Sequence, residues 1–190
     1  MTRADGWRGQ RGPVARIYLL TGRPGVGKTT CLRKALDLLR VPAGGFFTEE
    51  LRDRERRVGF RLETLDGRRA TLAHADRPGG PRVGRYGVNL EALERVGVPS
   101  IRTGVRRGDL VVIDEIGKME MASAAFRSAV EEVLAAPVIM LGTILESPHP
   151  WADRVKGHPA VALVEVTAAN RESLPDRLAG LVTAALRARV

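Results

Sequence analysis

The chain has 190 residues, of which 44% are hydrophobic, so it is long and apolar enough to form one domain with its own core. This composition excludes a wholly disordered chain. The formal net charge is +9, from 31 basic and 22 acidic residues, and a positive field favours anionic partners such as nucleotides. The basic residues are mostly scattered arginines, without a helix-turn-helix or zinc-finger pattern, and a codon bias explains them equally well. Charge alone therefore does not indicate nucleic-acid binding.

The sequence also bears on the location of the protein. No run approaches 18 consecutive apolar residues, and the first residues (MTRADGWRGQRG) contain no apolar signal core. We therefore expect neither a membrane span nor classical secretion. The single cysteine, Cys31, excludes an intramolecular disulfide framework and fits a reducing interior. The sequence predicts a cytoplasmic protein with no membrane partner.

The first half of the chain is predicted to begin as a strand, a loop and a helix. Residues 1–13 are rich in glycine, arginine and polar residues, which predicts a disordered tail ahead of a single domain at 14–190. The apolar run at 14–21 stops at a glycine loop, as a buried parallel strand does. The next segment, KTTCLRKALDLLR, has leucines at helical spacing. A helix is therefore predicted directly after the loop.

The segment that follows has a different pattern. Residues 44–73 alternate in polarity and contain Asp66-Gly67, which is typical of a hairpin turn. We expect an antiparallel meander there. Turn-forming residues dominate 76–87, and a short helix is predicted at 90–96.

The second half alternates strands with helices. Three further apolar runs predict strands, at residues 109–115, 137–143 and 161–167. A helix is predicted at 122–134, and a last helix begins after Ser173, which is expected to form a capping box with Asp176. This order predicts an α/β fold with a mostly parallel central sheet flanked by helices, and with the meander as an antiparallel extension.

The strongest functional signal is a phosphate-binding loop (P-loop). Residues 22–29, GRPGVGKT, match G-x-x-x-x-G-K-S/T at every defined position, between a predicted strand and a predicted helix. Glycines let main-chain N–H groups curl around phosphate oxygens, and the helix N-terminus adds partial positive charge. Lys28 is expected to contact the β- and γ-phosphates during catalysis. The predicted nucleotide-binding residues of the loop are Gly22, Arg23, Pro24, Gly25, Val26, Gly27, Lys28, Thr29 and Thr30.

Two acids follow the apolar part of the strand at 109–115. Asp114 and Glu115 would project from the carboxyl end of the strand, where open α/β sheets bind ligands. Asp114 and the Thr29 hydroxyl are predicted to hold Mg²⁺, which prefers hard oxygen ligands. Glu115 is predicted to act as the base that polarises a water for attack on the γ-phosphate. The acid pair favours a hydrolase over a kinase, because a kinase has to exclude water.

Five segments occur in the order seen in the THEP1-type nucleoside-triphosphatases: GRPGVGKTT, GGFFTEELRDRERRVGFRLETLDG, VGRYGVNLEAL, VVIDEIGKMEM and VEVTAANRESL. The chain resembles this family over residues 14–182. Many families share the P-loop, whereas the segments at 113–120 and 45–49 are more specific. The resemblance implies a P-loop fold with an added strand between the two motif-bearing strands. It also implies slow hydrolysis of nucleoside triphosphates with broad base specificity. Arg23 and Cys31 have no assignment in the family pattern.

Several residues have two possible roles. Asn170 and Arg171 follow the last strand and are predicted to contact the nucleotide base, but helix capping by Asn170 is an equal alternative. Lys118 is expected either to contact phosphate or to pair with Glu120. Thr143 either senses the γ-phosphate or is an ordinary threonine at a strand end.

Packing roles are predicted for the remaining residues of possible chemical interest. Cys31 is expected to be a small buried residue rather than a thiol of lowered pKa. The three histidines show no ligand spacing and are expected in loops or at the surface: His74, His149 and His158. Phe46 and Tyr86 are expected to pack rather than to touch a base.

Two rival functions remain at this point. A small nucleoside or nucleotide kinase uses the same P-loop, and the arginine-rich residues 52–57 resemble a kinase lid. A nucleic-acid-associated ATPase is supported only by the net charge. For the hydrolase, affinity should come from the triphosphate and Mg²⁺, so ATP, GTP, CTP and UTP are all expected substrates. The sequence leaves the oligomeric state open.

Overall fold

The computed structural model describes residues 7–8 and 15–188, and its centre is one mixed β-sheet. The strands of the described residues are, in chain order, β1 Trp7–Arg8, β2 Ile17–Thr21, β3 Ala43–Asp53, β4 Arg56–Thr64, β5 Arg69–His74, β6 Arg82–Val83, β7 Tyr86–Val88, β8 Leu110–Ile116, β9 Met140–Ile144 and β10 Val161–Glu165.

Helices cover both faces of the sheet. They are, in chain order, α1 Lys28–Leu39, α2 Leu90–Ala92, α3 Val98–Arg107, α4 Ala124–Ala135, α5 Pro150–Lys156 and α6 Leu174–Arg187. A π-helical turn at Leu93–Gly97 joins α2 to α3, and a 3₁₀ turn at Glu120–Ala122 precedes α4. None of the described helices is long and apolar enough to cross a membrane.

The strand order is β1-β10-β2-β9-β8-β3-β4-β5-β7-β6. The five strands β10, β2, β9, β8 and β3 run parallel, so their carboxyl ends lie along one edge. The strands β4 to β7 continue the sheet in antiparallel pairs. The predicted α/β sheet with an antiparallel extension is confirmed. Because β9 lies between β2 and β8, the added strand that the resemblance implies is also confirmed.

The apolar residues of the parallel strands alternate between two cores. In β2, Ile17 and Leu19 belong to the core under α3, α4 and α5. Tyr18 and Leu20 belong to the core under α1 and α6. Every residue of β2 is buried, as expected for a parallel strand that is covered on both faces.

Glycines bring α3 very close to β3. A β-carbon at Gly44 would lie 2.7 Å from the α-carbon of Gly104, and one at Gly45 would lie 1.8 Å from the carbonyl oxygen of Val112. The hydroxyl of Ser100 donates to the carbonyl oxygen of Gly45 at 2.9 Å and accepts from its N–H at 3.0 Å. These contacts fix β3 just before it leaves the parallel sheet and enters the meander.

The structure differs from the sequence prediction at several elements. The helix predicted at 90–96 continues into α3, the predicted turns at 76–87 include β6 and β7, and α5 was not predicted. The predicted capping box is wrong, because the Ser173 hydroxyl donates backward to the Asn170 carbonyl at 3.3 Å and caps no N–H of α6.

Most of the tail predicted at 1–13 lies outside the described residues. Its described part, Trp7–Arg8, pairs antiparallel with β10. The first strand of the domain begins at Ile17 rather than at residue 14, and residue 14 also lies outside the described residues.

Candidate active site

The loop between β2 and α1 presents main-chain N–H groups to one space. Gly22, Gly25 and Gly27 have φ values of 134°, 77° and 110°, which favour glycine. A β-carbon at Gly22 would also lie 2.8 Å from the carbonyl oxygen of Val166. Gly27 directly precedes α1, so the unpaired N–H groups of the first helical turn lie at the loop. Such an arrangement of main-chain N–H groups at a helix N-terminus is suited to binding an anion.

Lys28 spans this loop with its side chain. Its Nζ donates to the carbonyl oxygens of Gly22 at 2.8 Å and Arg23 at 3.2 Å. The hydroxyl-bearing residues Thr29 and Thr30 follow Lys28 in the first turn of α1, and all three residues line a cleft between the loop and the end of β8. The sequence motif therefore places an ammonium group and a hydroxyl at the helix N-terminus.

Asp114 lies near the end of β8 and is only 3% exposed. Its Oδ1 accepts a hydrogen bond from the Thr143 hydroxyl at 2.5 Å. Burial raises the pKa of Asp114, while the hydroxyls of Thr143 and Thr29 act in the opposite direction. Thr143 is fully buried and lies outside the lining of the cleft. Thr143 therefore orients Asp114, and neither of its two predicted roles describes that contact.

The donor set at Asp114 suits a hard divalent cation. Its Oδ2 is buried and has no hydrogen-bond partner among the described residues. Such an oxygen is costly to bury unless a cation or a donor reaches it. The Thr29 side chain is close enough to lower the pKa of Asp114. A carboxylate and a hydroxyl are oxygen ligands of the type that Mg²⁺ prefers.

Glu115 and Glu120 form a pair of carboxyl groups beside Asp114. A β-carbon at Gly117 would lie 2.6 Å from Oε1 of Glu115 and 2.8 Å from Oε2 of Glu120, so the two groups flank the same glycine. Burial raises the pKa of Glu115, the charge of Lys28 lowers it, and Asp114 raises it. Burial, followed by the charge of Glu115, raises the pKa of Glu120 to about 8. Glu120 is therefore mostly protonated at neutral pH.

From the sequence, Glu120 is a possible partner of Lys118 and the next candidate after Glu115 for orienting the attacking water. Its side chain is 3% exposed and lines the cleft. Lys118 also lines the cleft, but it is exposed and forms no ion pair with Glu120 in the described part of the chain. The only sequence signal for Glu120 is its position five residues after Glu115, across the Gly117 turn.

The P-loop and the acids share one cleft of about 570 Å³. Four groups of residues line it. The P-loop contributes Pro24, Gly25, Gly27, Lys28, Thr29 and Thr30, and the end of β8 with the turn after it contributes Asp114, Glu115, Lys118, Met119 and Glu120. The meander contributes Thr48, Glu50, Arg57, Phe60 and Val83, and the segment after β9 contributes Leu145 and Ser147. The predicted loop residues Gly22, Arg23 and Val26 do not line it.

The meander wall of the cleft was not predicted. Residues 52–57, which resemble a kinase lid in the sequence, are the end of β3, a turn and the start of β4. They belong to the central sheet through paired strands. Arg57 lines the cleft from this wall.

The predicted base contacts lie outside the cleft. Asn170 uses its amide within the loop after β10, where Oδ1 accepts from the N–H of Thr167 and Nδ2 donates to the carbonyl oxygen of Glu165, both at 2.8 Å. The helix-capping alternative is therefore also wrong for this side chain, because the amide bonds within its own loop and caps no N–H of α6. Arg171 lies beside the P-loop, since its Cδ would be 3.9 Å from a β-carbon at Gly27. The structure thus brings Arg171, but not the Asn170 amide, towards the nucleotide-binding loop.

Most residues assigned to packing or loops take those places, but the expectation for His74 is wrong, because it is the half-buried last residue of β5. Cys31 is 2% exposed, and burial raises the pKa of its thiol. Phe46 is fully buried and packs near Phe126, and Tyr86 is 7% exposed. Each histidine accepts a hydrogen bond at Nδ1 from a nearby main-chain N–H group; these residues are His74, His149 and His158. In the part of the chain that the structure describes, no cluster of acids, cysteines and histidines forms a separate metal site.

The same arrangement of elements occurs in known proteins. The pattern of the NTPase family matches residues 17–179. Nucleoside-triphosphatase THEP1 of Thermotoga maritima is 44% identical over 160 residues, which are 84% of this chain and 91% of that protein. The chain belongs to the THEP1 nucleoside-triphosphatase family. The cancer-related nucleoside-triphosphatase homolog of Mus musculus is 39% identical and covers 87% of this chain and 96% of its own.

Two solved structures of this family have the same fold. The crystal structure of THEP1 from Aquifex aeolicus has a TM-score of 0.80 and 34% identity, over 87% of this chain and 98% of that one. The solution structure of a human cancer-related nucleoside triphosphatase has a TM-score of 0.74 and 36% identity, over 89% and 98%. The sequence resemblance is thereby confirmed.

Proposed function

We propose that this protein hydrolyses nucleoside triphosphates to nucleoside diphosphates and phosphate, with Mg²⁺ as cofactor. The observation that carries the proposal is that the P-loop after β2 and the acids at the end of β8 line one cleft. The names of the relatives, which are nucleoside-triphosphatases, support the same reaction.

The P-loop would bind the phosphates of the substrate. Its positive-φ glycines and the N-terminus of α1 offer main-chain N–H donors to the phosphate oxygens. Lys28 exchanges its carbonyl partners in the loop for the β- and γ-phosphate oxygens, which are stronger, charged acceptors. Pro24, Gly25 and Thr30 complete the wall on this side.

Asp114 and Thr29 would hold the Mg²⁺ ion. The unpartnered, buried Oδ2 of Asp114 supports this assignment, and Thr143 holds the other oxygen of the same carboxylate. Bound there, Mg²⁺ would neutralise part of the triphosphate charge. The Asp114 carboxylate has to be ionised to bind the ion; burial raises its pKa, the hydroxyls of Thr143 and Thr29 act against that shift, and a bound cation would favour the ionised form further.

Glu115 would accept the proton of the attacking water. The oxygen of that water bonds to the γ-phosphorus as the bond from this phosphorus to the β–γ bridging oxygen breaks, and the proton passes to a carboxylate oxygen of Glu115. Burial supports this role, because it raises the pKa of Glu115 towards the neutral range, where a general base works best. A protonated Glu120 adds no second negative charge beside it.

Broad base specificity is part of the proposal. The P-loop and the acids after β8 offer contacts to the triphosphate that every nucleotide shares, and the Asn170 amide is used by the main chain of its own loop. A site that reads one base needs hydrogen-bonding groups that stay unpaired with the wrong base. We therefore infer that ATP, GTP, CTP and UTP are all hydrolysed.

Acceptor-free phosphate release tests this function. Purified protein is incubated with Mg²⁺ and each triphosphate, with no nucleoside or nucleotide acceptor, and phosphate and diphosphate are measured. Equal amounts of both products, lost on chelation of Mg²⁺, are the expected result. Release that requires an added nucleoside, or transfer of the phosphate to one, would contradict hydrolysis and favour the kinase.

A further inference from the structure

The meander wall of the cleft carries a guanidinium group that the proposed mechanism leaves unused. The described cations that line the cleft are Lys28, Arg57 and Lys118, and Arg57 is the only arginine among them. It is the second residue of β4 and lines the cleft from the meander. The carboxyl groups of Asp114 and Glu115 lie in the same cleft, where the γ-phosphate is expected.

Arg57 is held in place by three neighbours. Its Nη1 donates to Oε1 of Glu50 at 2.6 Å, and its Nε donates to the hydroxyl of Tyr86 at 3.1 Å. Its guanidinium carbon lies 5.3 Å from the ring centroid of Phe60 and 5.9 Å from that of Tyr86. The hydrogen bonds to Tyr86 and Glu50 raise the pKa of Arg57, so it stays charged. No acceptor among the described residues occupies Nη2.

The local charge does not cancel. Glu50 is shared with Arg52, whose Nη2 and Nε donate to Oε2 at 2.6 and 3.1 Å. Two guanidinium groups and one carboxylate leave a net charge of +1 in this cluster. Glu50 therefore orients Arg57 without removing the positive charge that it brings to the cleft.

This cluster suits the charge that develops during phosphoryl transfer. As the bond from the γ-phosphorus to the bridging oxygen breaks, charge is redistributed over the γ-phosphate oxygens and the leaving diphosphate, and catalysis depends on fixed cations around them. Lys28 supplies one cation from the P-loop side. We propose that Arg57 donates from Nη2 to a γ-phosphate oxygen in the transition state, so that the chain supplies its own catalytic arginine. This inference rests on the proposed hydrolysis.

Arg57 also connects β3, β4 and β7, so a purely structural role has to be separated from a catalytic one. Arg52 offers the matched control, because it pairs with the same Glu50 carboxylate but does not line the cleft. If Arg57 acts only through Glu50 and the meander, removing either arginine should have a similar effect. If it contacts the γ-phosphate, removing Arg57 should lower turnover far more than removing Arg52.

The experiment compares the wild type with Arg57→Ala, Arg57→Lys and Arg52→Ala. For each protein, kcat is measured by phosphate release, and calorimetry gives the affinity for Mg²⁺-ADP alone and with aluminium fluoride, which mimics the transferring phosphoryl group. We expect Arg57→Ala to lower kcat by roughly 10²-fold or more. The Arg57→Ala protein should bind Mg²⁺-ADP as tightly as the wild type does. Aluminium fluoride should no longer increase that affinity. Arg52→Ala removes one charge of the cluster but no group that lines the cleft, so it should retain that gain and lose far less kcat than Arg57→Ala.

Arg57→Lys keeps the positive charge and the alkyl stem on the two rings, and it serves if Arg57→Ala does not fold. Its kcat should also fall, because an ammonium group cannot bond Glu50, Tyr86 and phosphate in the same geometry. Wild-type kcat in a folded Arg57 variant, or an equal loss in Arg52→Ala, would overturn the proposal. Absence of phosphate release by the wild type would instead refute the proposed hydrolysis itself.

Discussion

At the residue scale, Lys28 brings a positive charge to the P-loop. Its ammonium group contacts two loop carbonyls and faces the cleft. Lys28→Ala should weaken Mg²⁺-triphosphate binding by about 1.5–3 kcal/mol, the contribution of a hydrogen bond to a charged group, and should also lower turnover. Titration calorimetry measures the affinity. Lys34→Ala is the control, because Lys34 is an exposed residue of the same helix that pairs weakly with Glu172. Wild-type affinity in Lys28→Ala would contradict the assignment.

Glu120 makes the stability of the protein depend on pH in an unusual direction. Its pKa rises from 4.5 to about 8 on folding, so between these values the native state keeps a proton that the unfolded chain has lost. Stability from this group is therefore complete below about pH 4.5 and falls as pH rises to about 8, by up to about 1.4 kcal/mol per pH unit. Glu120→Gln keeps the shape and removes the titration, so its stability should fall less than that of the wild type.

Urea unfolding between pH 5 and 8, without Mg²⁺ or nucleotide, measures this difference. The exposed Glu91→Gln is the control, and its stability should run parallel to that of the wild type. If Glu120→Gln shows the same pH dependence as the wild type, Glu120 is ionised in the folded protein.

The residues of the site differ in how far sequence reasoning can find them. The P-loop is contiguous, and its glycines, lysine and threonine are recognisable because the phosphate contacts come from neighbouring main-chain groups. Asp114 and Glu115 are recognisable because they follow an apolar strand. Glu120 and Arg57 have ordinary sequence surroundings, and only the tertiary fold buries the first and brings the second to the lining of the cleft.

At the element scale, the contact between α3 and β3 positions the meander wall of the cleft. Ser100 bonds both the N–H and the carbonyl of Gly45, and it is 4% exposed. Ser100→Ala removes the hydrogen-bond partner of the buried Gly45 N–H, while the Gly45 carbonyl keeps the N–H of Leu65, so the variant should lower the free energy of unfolding by about 1–3 kcal/mol. Denaturant unfolding measures the loss. Ser128→Ala, at an exposed position of α4, should stay close to the wild type, and a Ser100→Ala protein of equal stability would contradict this account of the contact.

Helices were harder to predict than strands because their usual breakers have tertiary roles here. In α3, Pro99 occupies the first turn, where its missing N–H is harmless. Gly104 allows the backbone of β3 to approach. In α5, His149 caps the helix and Pro150 begins it. By contrast, the apolar runs of β2 and β8 predicted their strands because both faces of the parallel sheet are covered.

At the scale of the whole molecule, the P-loop and the acids line one cleft, whereas the two residues predicted to contact the base, Asn170 and Arg171, do not line it. Values of kcat/KM for ATP, GTP, CTP and UTP should therefore lie within roughly tenfold of each other, or about 1.4 kcal/mol. Parallel kinetics at saturating Mg²⁺ measure the ratios. A preference of more than roughly 10²-fold for one base would mean that a dedicated pocket binds it. The nucleic-acid alternative stays a prediction from charge, tested by the salt dependence of polynucleotide binding.

The central claim is that one cleft joins phosphate binding to water activation by Glu115. Its most direct test is Mg²⁺-dependent phosphate release by Glu115→Gln, with nucleotide binding measured on the same protein. Asp109→Asn is the control, since Asp109 precedes the opposite end of β8. Glu115→Gln should bind Mg²⁺-nucleotide like the wild type while hydrolysis falls by roughly 10²–10⁴-fold, and the control should hydrolyse normally. Near-normal hydrolysis by Glu115→Gln would contradict the account.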